Sequence, residues 1–424
     1  MAAHAPWLEF VLPKNLEAHE PPEARGQRRD GVRLLLGSSN GVSHHRFTEL
    51  PDLLRPGDVL VVNTSGTLPA AVPIAEQPLT AHFSTEQRDG RWLVELRGNA
   101  GKATKPYAGG APGQRLALLG GGALTLRERY SRERLWIADV DTGRFHSVSR
   151  LLAEQGRPIR YDYVRKPWPL SYYQTVFARV PGSAEMPSAA RPFTAEVVTR
   201  LVAAGVLVVP ILLHTGVASP EAHERPYPEW FSVPEVTARV VNQAKQAGGR
   251  IIAVGTTAVR SIESATDEPG VVHERSGWTE LIITPDRGVR VIDGLLTGFH
   301  EPRASHLDML AAIAPADLLE RCYAAAIERG YLWHEFGDVN LLLPGDRRPQ
   351  AREQRGQREQ LGERHAAFHQ TQRKHLPPVG AGDRDRAEDQ HEPADRRDGQ
   401  QPRRQPGQAG IGERPAGGAQ DRDR

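Results

Sequence analysis

Arg250-Ile251-Ile252-Ala253-Val254-Gly255-Thr256-Thr257-Ala258-Val259-Arg260 reads as a buried strand that turns directly into a helix. An unbroken apolar run suits a strand covered on both faces, and a glycine followed by hydroxyl residues suits the start of a helix. Working outward, the same unit recurs. Val59-Leu60-Val61-Val62 follows Pro56-Gly57-Asp58, and Val206 to Leu213 follows a helix that opens at Thr194-Ala195-Glu196 and closes at Gly205. Pro234-Glu235 opens the next helix, with Ser232 as a cap, and it ends near Gly248-Gly249. Leu281-Ile282-Ile283, Val289 to Ile292 and Val339 to Leu343 read as further strands; Leu307 to Ile313 and Ala316 to Gly330 read as helices. Strands alternating with crossover helices predict an α/β fold, a mostly parallel sheet with helices on both faces.

Between Pro69 and Val148 the pattern changes. Trp92 to Leu96, Leu116 to Leu119, Ala123 to Leu126 and Leu135 to Val140 are short strands separated by glycine-rich turns. They predict an inserted antiparallel β-barrel that interrupts the α/β part. The expected organisation is a discontinuous α/β domain, 1–68 plus 149–343, an inserted barrel, 69–148, and a tail, 344–424. The tail is Arg, Gln, Gly, Asp, Glu and Pro with scattered apolar residues, a composition that reads as disordered or as a frame-shifted end of the gene.

The 424 residues are 39% hydrophobic and 25% charged, with a net charge of +2. So small a charge argues against bulk electrostatic attachment to nucleic acid, not against a local basic face. Arg91, Arg97, Lys102, Lys105, Arg115, Arg127 and Arg129 make the insertion basic, which suits an RNA backbone or any solvated sheet face. Cys322 is the single cysteine, so neither an internal disulfide nor a cysteine metal cluster is available, and a cytoplasmic protein is expected. No secretory leader is read at the N-terminus, and no run approaches the roughly 20 apolar residues of a membrane span. No metal constellation, phosphate-loop motif or dinucleotide fingerprint is present, and no metal or stable protein partner is expected.

In an open α/β sheet the ligand lies beyond the carboxyl ends of the strands. Polar clusters fall there after Val62, Leu213, Val254 and Leu296. Gly255, Thr256 and Thr257 can offer backbone N–H groups and hydroxyls to an anion, and alone they serve a helix cap better. Arg260 can clamp a carboxylate or phosphate, or form an ion pair. His214 and His300 are acid–base candidates, and each also suits a hydrogen-bonded loop. Phe299 beside His300 suits a stacked nucleobase or a packed loop. Asn63 serves a ligand or a turn equally.

These clusters, in this order, resemble the S-adenosylmethionine:tRNA ribosyltransferase-isomerases of queuosine biosynthesis. The resemblance runs from Leu8-Glu9-Phe10-Val11-Leu12-Pro13 through Arg29-Asp30-Gly31 and Leu53-Leu54-Arg55-Pro56-Gly57-Asp58. It continues at Tyr173-Gln174-Thr175-Val176-Phe177-Ala178, Val254 to Ser264, Gly277-Trp278-Thr279-Glu280-Leu281, Phe299-His300-Glu301-Pro302-Arg303 and Tyr331 to Asp338. It implies an enzyme that transfers and isomerises the ribosyl group of S-adenosylmethionine, as co-substrate, onto a 7-aminomethyl-7-deazaguanine base of tRNA. Adenine and methionine leave, and epoxyqueuosine remains. The resemblance implies catalytic roles for Asn63, His214 and His300, and a cofactor site at Gly255, Thr256, Thr257, Arg260, Phe299 and Arg303.

The chain departs from the family pattern in three loops. Asn63-Thr64-Ser65-Gly66 stands for Asn-Asp-Thr-Arg, and Pro187-Ser188-Ala189-Ala190-Arg191-Pro192-Phe193-Thr194 for Pro-Thr-Ala-Gly-Leu-His-Phe-Thr. Val217-Ala218-Ser219-Pro220 replaces a Gly-Thr-Phe pattern. An acid, a cation and a histidine are lost. The alternatives are therefore a paralogue that binds S-adenosylmethionine but acts on another substrate, and a non-catalytic nucleic-acid-binding protein.

Overall fold

The computed structural model describes residues 8–100, 103–131, 134–217, 227–302 and 304–345. The tail lies outside the described residues beyond Gly345, as do Lys102, Arg303 and the departing residues Ala218-Ser219-Pro220.

In chain order the first part carries β1 (Arg33–Ser38), β2 (Gly41–Arg46), α1 (Leu50–Leu53), β3 (Val59–Asn63) and β4 (Ser65–Thr67). The insertion carries β5 (Ala71–Pro73), β6 (Leu79–Glu86), β7 (Trp92–Ala100), β8 (Ala103–Pro106), β9 (Arg115–Ala117), β10 (Ala123–Ser131) and β11 (Leu135–Asp141). Then follow α2 (Val148–Gln155), β12 (Val180–Ser183), α3 (Ala195–Ala203), β13 (Leu207–Leu213), β14 (Glu229–Val233), α4 (Glu235–Gln246), β15 (Ile251–Val254) and α5 (Thr256–Ser264). β16 (Arg275–Thr279), β17 (Gly294–Gly298), α6 (His306–Ile313), α7 (Ala316–Glu328) and β18 (Val339–Leu343) complete it.

The large sheet has the order β16-β14-β13-β3-β15-β17-β18-β1-β2. Its centre, β13-β3-β15-β17, is parallel, and β1 runs parallel to β18. The pairs β16-β14, β14-β13, β17-β18 and β1-β2 are antiparallel. The sheet is therefore mixed, and the expectation of a mostly parallel one is corrected. The reason lies in the connections. β1 and β2 form a hairpin, and β17 reaches β18 through two helices instead of the single crossover helix that returns a chain parallel to its start.

Alternate residues of β3 serve opposite faces, as the period of two requires. Val59 and Val61 belong to one core with Val241 of α4, Val259 and Ile262 of α5 and Leu319 of α7. Leu60 and Val62 pack with Leu50 of α1, Phe193, and Val197 and Leu201 of α3. Helices thus cover both faces. The start of α3 follows its sequence: Thr194 Oγ1 accepts from the N–H of Val197 at 3.3 Å, and Gly205 has φ 78°.

Two expected strands are absent. Neither Leu281 to Ile283 nor Val289 to Ile292 is a strand; the strands lie nearby, as β16 and β17. The buried Glu263 carboxylate accepts from the N–H groups of Arg290 and Val291, which supplies the partner a neighbouring strand would have given.

The insertion forms an antiparallel sheet, β5-β6-β7-β11-β10-β9, with β8 on β7. It curls, and its edges meet at an Ile74–Leu118 bridge flanked by hydrogen bonds from Ala75 N–H to Ala117 O and from Leu119 N–H to Pro73 O, both 2.8 Å. Phe83, Trp92, Leu124 and Trp136 form its core, closed by Leu151 and Leu152 of α2.

Candidate active site

Because β13, β3, β15 and β17 are parallel, their carboxyl ends share one edge of the sheet. A cavity of about 420 Å³ opens there, lined by Thr215, Thr256, Thr257, Thr297, His300 and Glu335 among others. The loops after β13, β15 and β17 reach it directly. The loop after β3 contributes Thr67 at the end of β4, and the insertion contributes His82, Glu95 and Arg97.

The start of α5 forms one wall. Gly255 adopts φ 87°, a backbone that side chains with a Cβ rarely enter, and its N–H donates to Leu296 O at 2.8 Å. Thr256 and Thr257 then present the first turn of a helix to the cavity, where the macrodipole is positive and favours a carboxylate.

Asn63 does not line the cavity. It is fully buried; its Nδ2 donates to Leu213 O at 2.9 Å and Thr257 Oγ1 at 3.3 Å, and its Oδ1 accepts from the N–H groups of Ser65 and Leu213, both at 3.0 Å. It braces β3 against β13 and α5. His214 also stands behind the wall. Its Nδ1 meets Ser65 Oγ at 2.8 Å, Ser65 Oγ meets Ser183 Oγ at 2.6 Å, and Thr215 Oγ1 donates to Ser183 Oγ at 3.0 Å. A chain of hydroxyls thus links His214 to the cavity-lining Thr215. Gly182 lets the ring in, since a Cβ there would lie 2.4 Å from it. Burial holds the His214 pKa below its usual value.

His300 lines the cavity. Its Nε2 meets Thr297 Oγ1 at 2.9 Å, and its ring stacks on His306 at 4.7 Å. Burial, then the neighbouring His306 and His334, hold its pKa well below the ordinary imidazole value. The ring of Phe299 belongs to the core: it packs on Trp333 at 4.7 Å and on Tyr323 and Tyr331 at 5.7 Å. Arg260 is buried on α5 and does not line the cavity. It pairs with Glu229 and donates to Leu281 O and Thr279 O at 3.2 Å. Arg303 is outside the described residues. The arginines of the insertion are largely compensated: Arg91 pairs with Asp89, Arg115 with Asp141, Arg127 with Asp139 and Arg97 with Glu95.

The residues missed by sequence reasoning sit in the turn before β18. Glu335 and His334 line the cavity, and Tyr163 reaches them from the segment after α2. Burial raises the Glu335 pKa to about 7, against the lowering influence of Tyr163 and Arg191. Burial lowers that of His334 to about 4. The sequence signal was the pair of adjacent titratable residues set in an aromatic run, Trp333-His334-Glu335-Phe336. Chemically, the cavity combines a helix N-terminus, hydroxyls, neutral imidazoles and carboxyl groups. Among the described residues, no group of three or more His, Cys, Asp or Glu is arranged to hold a metal.

The model of the queuosine biosynthesis protein family matches residues 7–342. The chain belongs to that family. It is 36% identical over 356 residues to the S-adenosylmethionine:tRNA ribosyltransferase-isomerase of Rubrobacter xylanophilus, covering 80% of this chain and 98% of the relative. The same-named protein of Symbiobacterium thermophilum is 34% identical over 362 residues, covering 79% and 98%. A solved S-adenosylmethionine tRNA ribosyltransferase from Thermotoga maritima is 27% identical, covering 80% of this chain and 100% of that one, with a TM-score of 0.44. Among the described residues no helix is long and apolar enough to cross a membrane.

Proposed function

We propose that this family member is an S-adenosylmethionine:tRNA ribosyltransferase-isomerase acting in the cytoplasm. One observation carries the reading: the loops that hold Gly255-Thr256-Thr257 and Thr297 to His300, both within the family match, converge on a single cavity. Its volume lies within the roughly 300–1,000 Å³ of small-molecule sites. S-adenosylmethionine carries a carboxylate, a sulfonium cation and an adenine. The N-terminus of α5 suits the carboxylate, with Thr256 and Thr257 beside it. Neutral imidazoles and the carboxyl group of Glu301 suit the sulfonium, which a protonated histidine would repel.

His300 stands among the reacting groups in this reading. His214 acts through the hydroxyl chain, as a positioning residue, and Asn63 holds the strand ends in place. Arg303 remains a ligand for the co-substrate. We read the part spanning 1–68 plus 149–343 as the catalytic domain and the inserted sheet, 69–148, as the other side of the cavity.

Incubation with precursor tRNA and S-adenosylmethionine, followed by mass spectrometry of the nucleosides, is expected to yield epoxyqueuosine and free adenine. Absence of epoxyqueuosine overturns the reading. A second acceptor is favoured by one observation: the loop whose Pro187, Ser188 and Ala189 line the cavity departs from the family pattern just beyond them, at Ala190-Arg191-Pro192. Adenine release without tRNA modification would select that reading. Calorimetry with no heat at millimolar S-adenosylmethionine would reject both and leave a nucleic-acid-binding protein.

A further inference from the structure

The turn that delivers His334 and Glu335 is held by its own framework. His334 has φ 72°, a left-handed backbone that is costly for a residue with a Cβ. Gly337 N–H donates to His334 O at 3.0 Å, and the Asp338 carboxylate accepts from Leu332 N–H at 2.8 Å and from Arg33 at 2.7 Å. A Cβ on Gly337 would lie 2.3 Å from Leu332 O, so only glycine closes this turn. The Tyr163 ring stacks on His334 at 3.8 Å and 10°, and its O–H donates to Glu335 Oε2. That leaves Glu335 Oε1 and His334 Nε2, both buried and both without a hydrogen-bond partner. Buried polar atoms are rarely left so, and strained backbone with orphaned atoms beside a cavity marks a site built for a ligand.

We propose that Glu335 is the general base that frees the acceptor amine for attack, with Tyr163 and His334 as its positioning residues. The inference rests on the function proposed above. Glu335 Oε1 takes a proton from the ammonium group of the acceptor. One N–H bond breaks, one O–H bond forms, the electron pair stays on nitrogen, and the carboxylate becomes a neutral acid. The charged and titratable groups around it are Tyr163, Tyr173, Arg191, His300, His334 and Glu301. Arg191 is engaged by Glu23 at 2.8 Å. His334 and His300 bind protons too weakly to hold one at neutral pH, whereas a carboxyl group poised near 7 suits proton transfer there.

The test compares the full-length wild type with Glu335→Gln, Glu335→Asp and Tyr163→Phe, following adenine release with precursor tRNA from about pH 5 to 9. Glu335→Gln is expected to lower kcat by about 10²–10⁴, with S-adenosylmethionine affinity unchanged by calorimetry. Glu335→Asp recovers part of the rate. Loss of the Tyr163 donor raises the Glu335 pKa, so Tyr163→Phe moves the acid limb to higher pH. A Glu335→Gln kcat within about tenfold of wild type overturns the proposal, as does an acid limb that Tyr163→Phe leaves in place. If the Gln variant fails to fold, the Tyr163→Phe limb decides. A wild type that releases no adenine overturns the proposed function, whereas an active wild type with an undiminished Glu335→Gln rate overturns the base role alone, so the two failures are told apart.

Discussion

The Tyr163 hydroxyl donates to one carboxylate oxygen of Glu335, while the ring of the same tyrosine lies flat on His334 at 3.8 Å. One side chain thus fixes both titratable residues of the turn at the cavity. The arrangement is costly to the fold. The folded pKa of Glu335, about 7, exceeds its unfolded value of 4.5, so its protonated form stabilises the fold below about pH 4.5 and that contribution is lost as pH rises through 7. Glu335→Gln is therefore expected to be more stable than wild type at about pH 8, by on the order of 1–3 kcal/mol, with the gap closing near pH 5. Urea unfolding at both values checks this; coincident midpoints at the higher pH would show a well-solvated carboxylate.

His334 acts in the opposite sense. Its folded pKa, about 4, lies below the unfolded 6.5, so its contribution is present above 6.5 and is lost as pH falls toward 4. At pH 5 that loss is about 2 kcal/mol. His334→Asn, which tolerates the left-handed backbone, is expected to lose correspondingly less stability between about pH 7 and 5. An unchanged pH dependence would place the acid lability in other groups, His300 first.

Arg260 and Glu229 form a buried ion pair, and the arginine also holds the carbonyls of Thr279 and Leu281. Arg260→Ala strands a buried carboxylate and is expected to cost about 3–5 kcal/mol. S-adenosylmethionine affinity of the folded protein stays the same. Adding Glu229→Gln restores part of the stability. Calorimetry showing weaker binding with an unaltered melting temperature would mean that Arg260 reaches the ligand.

Asn63 and Thr256 separate bracing from binding. Asn63→Ala leaves buried N–H groups of Ser65 and Leu213 unpaired, and a loss of about 2–4 kcal/mol is expected in denaturant unfolding. Thr256→Ala removes a cavity-lining hydroxyl worth about 1 kcal/mol, so S-adenosylmethionine should bind about fivefold more weakly with little change in stability. Equal affinities for wild type and Thr256→Ala would move the carboxylate site away from the start of α5.

Local features were legible because their causes are local. The Thr194 cap and the Gly205 stop each rest on bonds within a few residues. Of the two readings the sequence leaves open for Arg260, the ion pair is the one formed, and its partner, Glu229, lies 31 positions away on β14, beyond the reach of local pattern. The partners of Phe299, Tyr323, Tyr331 and Trp333, come from α7 and beyond, so its packing is invisible to local sequence, while it also lines the cavity. The apolar runs at Leu281 and Val289 looked like strands, since apolar character reports burial and not the hydrogen-bond partner.

By itself the sequence determined the alternation of buried strands and helices, the antiparallel insertion and membership of the family, because apolar period, turn residues and colinear motifs are written along the chain. Tertiary structure decided the direction of β18. Gly298 faces Val339 in an antiparallel pair, so the turn that enters β18 arrives at the edge where the parallel strands end. A rule that looks only at the carboxyl ends of strands passes over such a turn. Strand direction depends on how α6 and α7 carry the chain back. That path is set by packing, and packing is what brought Glu335 to the cavity.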